Sequence, residues 1–458
     1  MARQRQDPDA TQRLLMSGRL SGGDILPRCN EILQAAYGHK MPRGQARGLS
    51  DPEVNRPLGR LGVASPPVRY PKENPQSLGL AWELPPLLAA NLATHARLCC
   101  TALNPQCQSC SLVSFCPSGA KRAAAWGNGR PLAVDLFAGA GGFSAGLRRE
   151  GFHVVFAVEK ERHAAQSFRI NNPGVPVVEA DVQDLEPTDV LRALGLRRGD
   201  VAAVIAGPPC QGFSAAGPRR PMARRNFLFR SVARMAEGLG AGILVMENVL
   251  GLRRVNGVGF ESRILKCFAR SGYKGRAIEV DASDYGVPQR RRRLIFICAD
   301  GRYDAACFEL QPIGDGAQAT VAQALGDLPA AVLKTEDMPR ANGKPLFNHR
   351  AMVHSKKVIE KIQAIKPGQG PISYRRLQPD LARTIIAGHR AMPVHPSLDR
   401  TITVREAARL QTMPDAFRFL GPHSEQPLQV ANVVPYCLSR AIARGMHIAL
   451  NAQARRKE

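Results

Sequence analysis

Between residues 131 and 298 short apolar runs alternate with longer amphipathic stretches, and this alternation narrows the possible folds more than any other feature of the chain. The runs are Leu132–Phe137, Val154–Val158, Val175–Val178, Val201–Ala206, Ile243–Met246 and Leu294–Cys298. Apolar strands separated by helical segments predict an α/β, doubly wound, mostly parallel sheet, because helices cover both faces of such a sheet and leave no polar face to alternate with. An open parallel sheet binds its ligands along the carboxyl edge of the strands. The unusual residues of this segment gather at that edge. A Gly-rich turn follows the first run, Glu159 ends the second, and Asp181 stands just beyond the third. Pro208-Pro209-Cys210 follows the fourth and Glu247-Asn248 the fifth.

Each of these positions suggests a chemistry. In Asp135-Leu136-Phe137-Ala138-Gly139-Ala140-Gly141-Gly142 the glycines let the backbone approach a ligand, and the helix that follows presents an electropositive end. Glu159 lies 159 − 139 = 20 residues beyond Gly139, where a ribose-binding carboxylate belongs. Gly139-Ala140-Gly141-Gly142 does not run as G-x-G-x-x-G, so a nucleoside cofactor other than a dinucleotide is favoured. Two prolines stiffen the approach to Cys210, whose thiolate would be the strongest side-chain nucleophile of the crevice. Glu247 brings a carboxylate able to act as a general acid. In Gln289-Arg290-Arg291-Arg292-Arg293 alternate residues share a face, which pairs Arg291 with Arg293.

Read in order, the chain carries Asp135–Gly142, Gly207-Pro208-Pro209-Cys210-Gln211-Gly212-Phe213-Ser214, Arg225-Asn226-Phe227-Leu228-Phe229, Glu247-Asn248-Val249, Gly286-Val287-Pro288-Gln289 with its arginines, Thr401–Gln411 and Gln429-Val430-Ala431-Asn432. Over about residues 131–450 this set resembles the cytosine-C5 DNA methyltransferase family. The resemblance implies a Rossmann-like methyltransferase sheet with a smaller target-recognition domain. It also implies S-adenosylmethionine as cofactor and, as substrate, a cytosine flipped out of duplex DNA. Cys210 would add to C6 of the base and Glu247 would hold or protonate N3. Arg291 and Arg293 would contact the base carbonyl and the neighbouring carboxylate. Phe137, Glu159, Asp181, Pro208, Leu228 and Asn432, with the turn glycines Gly139, Gly141 and Gly142, fall where the family lines its cofactor pocket. The loop 213–230, with Arg219, Arg220, Arg224 and Arg225, would close on DNA phosphates. Two positions depart from the family pattern: Lys160 stands where an aromatic residue often stacks on adenine, and Ala431-Asn432-Val433 replaces the usual glycine-and-alanine surroundings of the asparagine.

Upstream, Cys100, Cys107, Cys110 and Cys116 are spaced C-x6-C-x2-C-x5-C. Four thiols in so short a loop can surround one metal centre. The spacing resembles the iron–sulfur loop of the endonuclease III family of DNA glycosylases, which implies a [4Fe–4S] cluster, with a four-cysteine zinc site as the alternative. No matching Lys/Asp catalytic pair lies upstream, so the loop reads as a structural module.

Lys and Arg number 63 against 38 Asp and Glu, a net charge of +25 that calls for a polyanionic partner. No apolar run is long enough to span a membrane, and no apolar stretch follows the charged start, so a cytoplasmic, nucleoid-associated monomer is expected. The expected divisions are an extension of unknown role (1–90), the four-cysteine loop (91–120), the catalytic cofactor-binding domain (131–300), a target-recognition domain (301–399) and C-terminal helices returning to the catalytic domain (400–458). Double-stranded DNA is the expected partner, with a cognate restriction endonuclease as a second. A tRNA cytosine methyltransferase, a catalytically silent DNA-binding protein and a base-excision protein are the competing readings. Methyl transfer to DNA against tRNA, and the effect of Cys210→Ser, discriminate them.

Overall fold

The computed structural model describes residues 130–452, apart from residues 195, 210–226, 254–258, 314–317, 334–338, 342, 372–373 and 387–391. Cys210, Arg219, Arg220, Arg224 and Arg225 lie outside the described residues, and so do Cys100, Cys107, Cys110 and Cys116. The first half of the fold runs β1 (Leu132–Leu136), α1 (Gly142–Arg149), β2 (His153–Glu159), α2 (Arg162–Asn171), β3 (Val177–Glu179), α3 (Pro187–Leu194), β4 (Val201–Ala206), α4 (Phe229–Leu239) and β5 (Ile243–Val249). It continues through α5 (Phe260–Arg270), β6 (Lys274–Asp281), β7 (Gln289–Arg290), β8 (Arg292–Ala299), α6 (Val321–Leu325), β9 (Arg340–Ala341), β10 (Lys344–Pro345), α7 (Lys356–Gln363), β11 (Ala382–Arg383), α8 (Val404–Leu410), α9 (Gln426–Asn432) and α10 (Tyr436–Ala452). The chain divides into two compact units. Of the described residues, one unit groups 130, 173–176 and 185–198 and contains α3; the other, within 131–172, 177–184 and 199–452, holds every feature discussed below.

A seven-stranded sheet in the order β3-β2-β1-β4-β5-β8-β6 forms the centre of the larger unit. Its pairs are parallel except those made by β8, which runs against both β5 and β6. The chain leaves β1 toward β2 on one side and returns to β4 on the other, so the topological switch, the place at which open α/β sheets bind ligands, lies between β1 and β4. The continuous apolar runs are the buried central strands: every residue of β1 is buried. The sequence reading misses β6, because Lys274, Gly275 and Arg276 of this edge strand are exposed and break the apolar pattern. It also places Leu294–Cys298 among parallel strands, whereas that segment lies in the reversed strand β8.

The C-terminal elements return to the front of this sheet. The expected capping box opens α8: Thr403 Oγ1 accepts from the Glu406 amide at 3.1 Å and Glu406 Oε2 accepts from the Thr403 amide at 2.7 Å. Val321, Leu325, Leu377, Ala382 and Ile385 from segment 301–399 pack in one apolar cluster with Ile402, Val404, Leu410, Val430 and Val433. Ser167 of α2 donates to Gln429 of α9 at 2.6 Å and accepts from the Leu420 amide at 2.7 Å. Among the described residues no helix is long and apolar enough to cross a membrane, and no group of three or more His, Cys, Asp or Glu could hold a metal ion.

Candidate active site

The turn after β1 is a local consequence of its glycines. Gly141 sits at φ +92°, a conformation that a side chain would strain, and caps α1. A Cβ on Gly142 would stand 2.2 Å from Val433 Cγ2 and 2.9 Å from the Val434 carbonyl, so the turn packs directly against the segment after α9. Phe137 adopts φ +58°, a left-handed geometry that costs a non-glycine residue about 1 kcal/mol or more and is typical of functional turns. Nothing lies within 4 Å of the place a Cβ on Gly139 would occupy, so the turn borders open space there.

Glu159 closes the other side of this turn. Its Oε2 accepts the Gly139 amide and its Oε1 the Glu161 amide, each at 2.7 Å. Burial pushes this carboxyl up, against the lowering effect of the Glu161 and Gly139 amides. A carboxylate offers about four acceptor positions, so the diol of a ribose can still be received. Asp181 stands nearby with Lys160 Nζ 3.0 Å from its Oδ2. Burial works to raise Asp181, but the Gln183 amide and the Lys160 ammonium outweigh it and hold the carboxyl below its usual range. Lys160, in place of the family's frequent aromatic, thus orders a second carboxylate at the rim. Beneath the turn, Asp135 is 1% exposed and accepts the Ser144 hydroxyl at 2.6 Å.

The second wall comes from β4, β5 and β8. Pro208 is buried, and its carbonyl accepts Asn248 Nδ2 at 3.3 Å, which ties the end of β5 to the approach to Cys210. Asn248 was not among the residues expected to act; its place beside Glu247 was the available signal. Glu247 pairs with Arg293, whose Nε lies 2.7 Å from Oε1, with both side chains only about a tenth exposed. That approach lacks the alignment of a hydrogen bond, so Oε1 is a buried acceptor with no hydrogen-bond partner among the described residues. Leu228 is buried at the start of α4.

Of the two arginines expected to contact the base carbonyl and the neighbouring carboxylate, Arg293 meets the carboxylate of Glu247, and Arg291 binds backbone carbonyls. Its side chain is buried, and the two terminal nitrogens donate to the carbonyls of Ala431 (3.0 Å) and Val433 (3.2 Å), on either side of the exposed Asn432. The shared face predicted from alternation does exist: Gln289, Arg291 and Arg293 are buried while Arg290 and Arg292 are exposed. The three inward side chains nevertheless serve three different partners, since Gln289 Nε2 donates to Leu410 O at 3.3 Å and Gln289 Oε1 accepts the Ile385 amide at 3.1 Å. Phe137, the turn glycines and Glu159 thus meet where β1 and β2 end, with Asp181 beyond β3, Pro208 beyond β4, and Glu247 near the end of β5 paired with Arg293. Arg291 is joined instead to the backbone on either side of Asn432.

Comparison with known proteins identifies relatives of this chain. The family model of C-5 cytosine-specific DNA methylases matches residues 133–447. The chain is 37% identical over 330 residues to the type II methyltransferase M1.HphI of Haemophilus parahaemolyticus, covering 68% of this chain and 86% of that one. It is 31% identical over 364 residues to the type II methyltransferase M.DdeI of Desulfomicrobium norvegicum, covering 68% and 87%. Among solved structures, one described as a DNA modification methyltransferase encoded within an E. coli prophage is similar with a TM-score of 0.60 and 29% identity, over 70% of this chain and 99% of that one.

Proposed function

The chain belongs to the C-5 cytosine-specific DNA methylase family, and on that premise we propose that it methylates C5 of a flipped cytosine in duplex DNA through a covalent bond to Cys210. The observation that carries this reading is the Glu247 carboxylate, about a tenth exposed and ion-paired to Arg293, on the same sheet edge as the Glu159 turn.

The crevice suits S-adenosylmethionine. The space beside Gly139 and the Glu159 carboxylate fit a ribose and its adenine, with Asp181 at the rim. When bound, the cofactor supplies an electrophilic methyl group on a sulfonium. Cytosine C5 is a weak nucleophile, so the protein must first build electron density there. The Cys210 thiolate adds to C6; the ring electrons move toward N3, where Glu247 holds the proton, and C5 acquires enamine character. Arg293 fixes Glu247 in that orientation and neutralises the charge that develops. After methylation, loss of the C5 proton returns an electron pair to the ring and expels the thiolate.

Segment 301–399 would read the target in the major groove, and a cognate restriction endonuclease would share that target. The Cys100, Cys107, Cys110 and Cys116 set would hold a [4Fe–4S] cluster or, in the alternative, zinc; iron, sulfide and zinc analysis of the purified protein distinguishes them. The catalytic reading is tested by transfer of labelled methyl from S-adenosylmethionine to unmethylated genomic DNA, wild type beside Cys210→Ser. 5-Methylcytosine formed by the wild type, and reduced on the order of 10³-fold or more in the variant, is the expected result. Transfer to tRNA alone, or undiminished transfer by the variant, would overturn it.

A further inference from the structure

Arg291 and Arg293 are both buried, two residues apart, yet they are spent on different objects. Arg293 reaches Glu247 on the neighbouring strand. Arg291 crosses to the C-terminal segment, where its guanidinium bridges the carbonyls of Ala431 and Val433. Its own backbone is fixed as well, since the Arg291 amide donates to Asp281 Oδ1 at 2.8 Å and its carbonyl accepts the Ala282 amide at 3.1 Å. The clasp thus hangs from a rigid support at the end of β6.

What the clasp holds matters more than its strength. Ala431, Asn432 and Val433 end α9, and Val433 leaves the helix in extended backbone at ψ 141°. Backbone that has just left a helix has carbonyls without intrahelical partners. Two of those carbonyls are taken by one planar, always-charged donor fork, which fixes their direction together. The same segment lies against Gly142, whose missing Cβ leaves room for Val433 and the Val434 carbonyl. The clasp therefore sets how closely residues 431–434 approach the Gly-rich turn.

Resting on the cofactor-and-base reading given above, we propose that Arg291 is a positioning residue for S-adenosylmethionine, whereas Arg293 serves the base. Arg291 holds the wall bearing Asn432 against the turn Phe137–Gly142 and so shapes the crevice before either substrate arrives. The two arginines divide one crevice between its two ligands.

The test compares Arg291→Lys, which keeps the charge and a single donor, with Arg293→Lys in otherwise intact protein. Binding of S-adenosylhomocysteine is measured by calorimetry without DNA, alongside KM for S-adenosylmethionine and kcat on duplex DNA. Losing one charge-assisted hydrogen bond from the clasp is expected to weaken cofactor binding about tenfold and raise that KM by a similar factor, with kcat at saturation little changed. Arg293→Lys is expected to lower kcat and leave cofactor binding as in the wild type. Cofactor affinity equal to wild type in a folded Arg291→Lys, with kcat reduced, would make Arg291 a base contact and sink the proposal. Should Arg291→Lys not fold, amide hydrogen exchange of the wild type still decides. Slowing at residues 430–434 on adding S-adenosylhomocysteine alone supports the proposal, and slowing only when DNA is added overturns it. A wild type that binds neither cofactor nor its product would instead fail the family reading, a result separate from these.

Discussion

Asp135 illustrates how much a single buried group can store. It lies within a fully buried strand, and burial pushes its carboxyl up to about 7 from 3.8; the Ser144 hydroxyl opposes this and the charge of Glu159 adds to it. The folded state therefore binds a proton that the unfolded chain has already released between pH 4 and 7, and stability falls as pH rises through that window. Asp135→Asn keeps the Ser144 bond and removes the titration. Its unfolding free energy relative to wild type should improve by up to about 1.4 kcal/mol per pH unit from pH 4 to 7 and level off above. Denaturant unfolding at several pH values reads this directly, and a pH-independent difference would show that Asp135 is ionised throughout. Glu247 and Arg293, which the structure pairs, could be singled out from local sequence because each stands near a strand end. The work of Arg291 was not, because the carbonyls it clasps lie 140 and 142 residues away in the chain.

Helix α8 shows the same contrast within one element. Its start was legible, since a capping box needs only two residues three apart. The structure adds what surrounds it: Arg400 grips Glu406 through both terminal nitrogens at 2.8 and 2.7 Å, and His349 Nδ1 lies 2.9 Å from Thr403 Oγ1. Arg405, wholly buried, donates to the carbonyls of Phe347 and Pro414 at 2.9 and 3.1 Å and to that of Phe417, and burial pushes it down to about 10. Thr403→Ala removes the side-chain acceptor at the cap and a partner of His349. A loss of about 1 kcal/mol or slightly more is expected, seen as a lower urea midpoint at an unchanged slope. A midpoint within error of wild type would mean that the surrounding ion pairs hold the helix end without the hydroxyl. Strand β6 was invisible for the opposite reason: an edge strand need bury only part of one face, so exposed Lys274, Gly275 and Arg276 interrupt the apolar pattern from its first residue.

For the whole molecule, the excess of cations over anions is the dominant property. DNA binding by such a chain is driven largely by release of counterions from phosphates. Affinity for duplex DNA should fall by on the order of 10³-fold or more between roughly 0.05 and 0.2 M salt. Fluorescence anisotropy across a salt series measures the slope. A nearly flat dependence would place the cationic surface away from the DNA and undermine the assignment of polyanion binding to the net charge.

By itself the sequence determined the class of sheet, the edge on which its chemistry gathers, and the residue types placed there. Continuous burial of central strands and the requirements of tight turns are written within a few neighbouring residues. Only the tertiary structure decided the reversed strand β8, the joining of segment 301–399 to the C-terminal helices through one apolar cluster, and the different partners of Arg291 and Arg293. Those features depend on which distant backbone carbonyl or carboxylate meets a given side chain, and that choice is made by packing across long stretches of chain rather than by any local pattern.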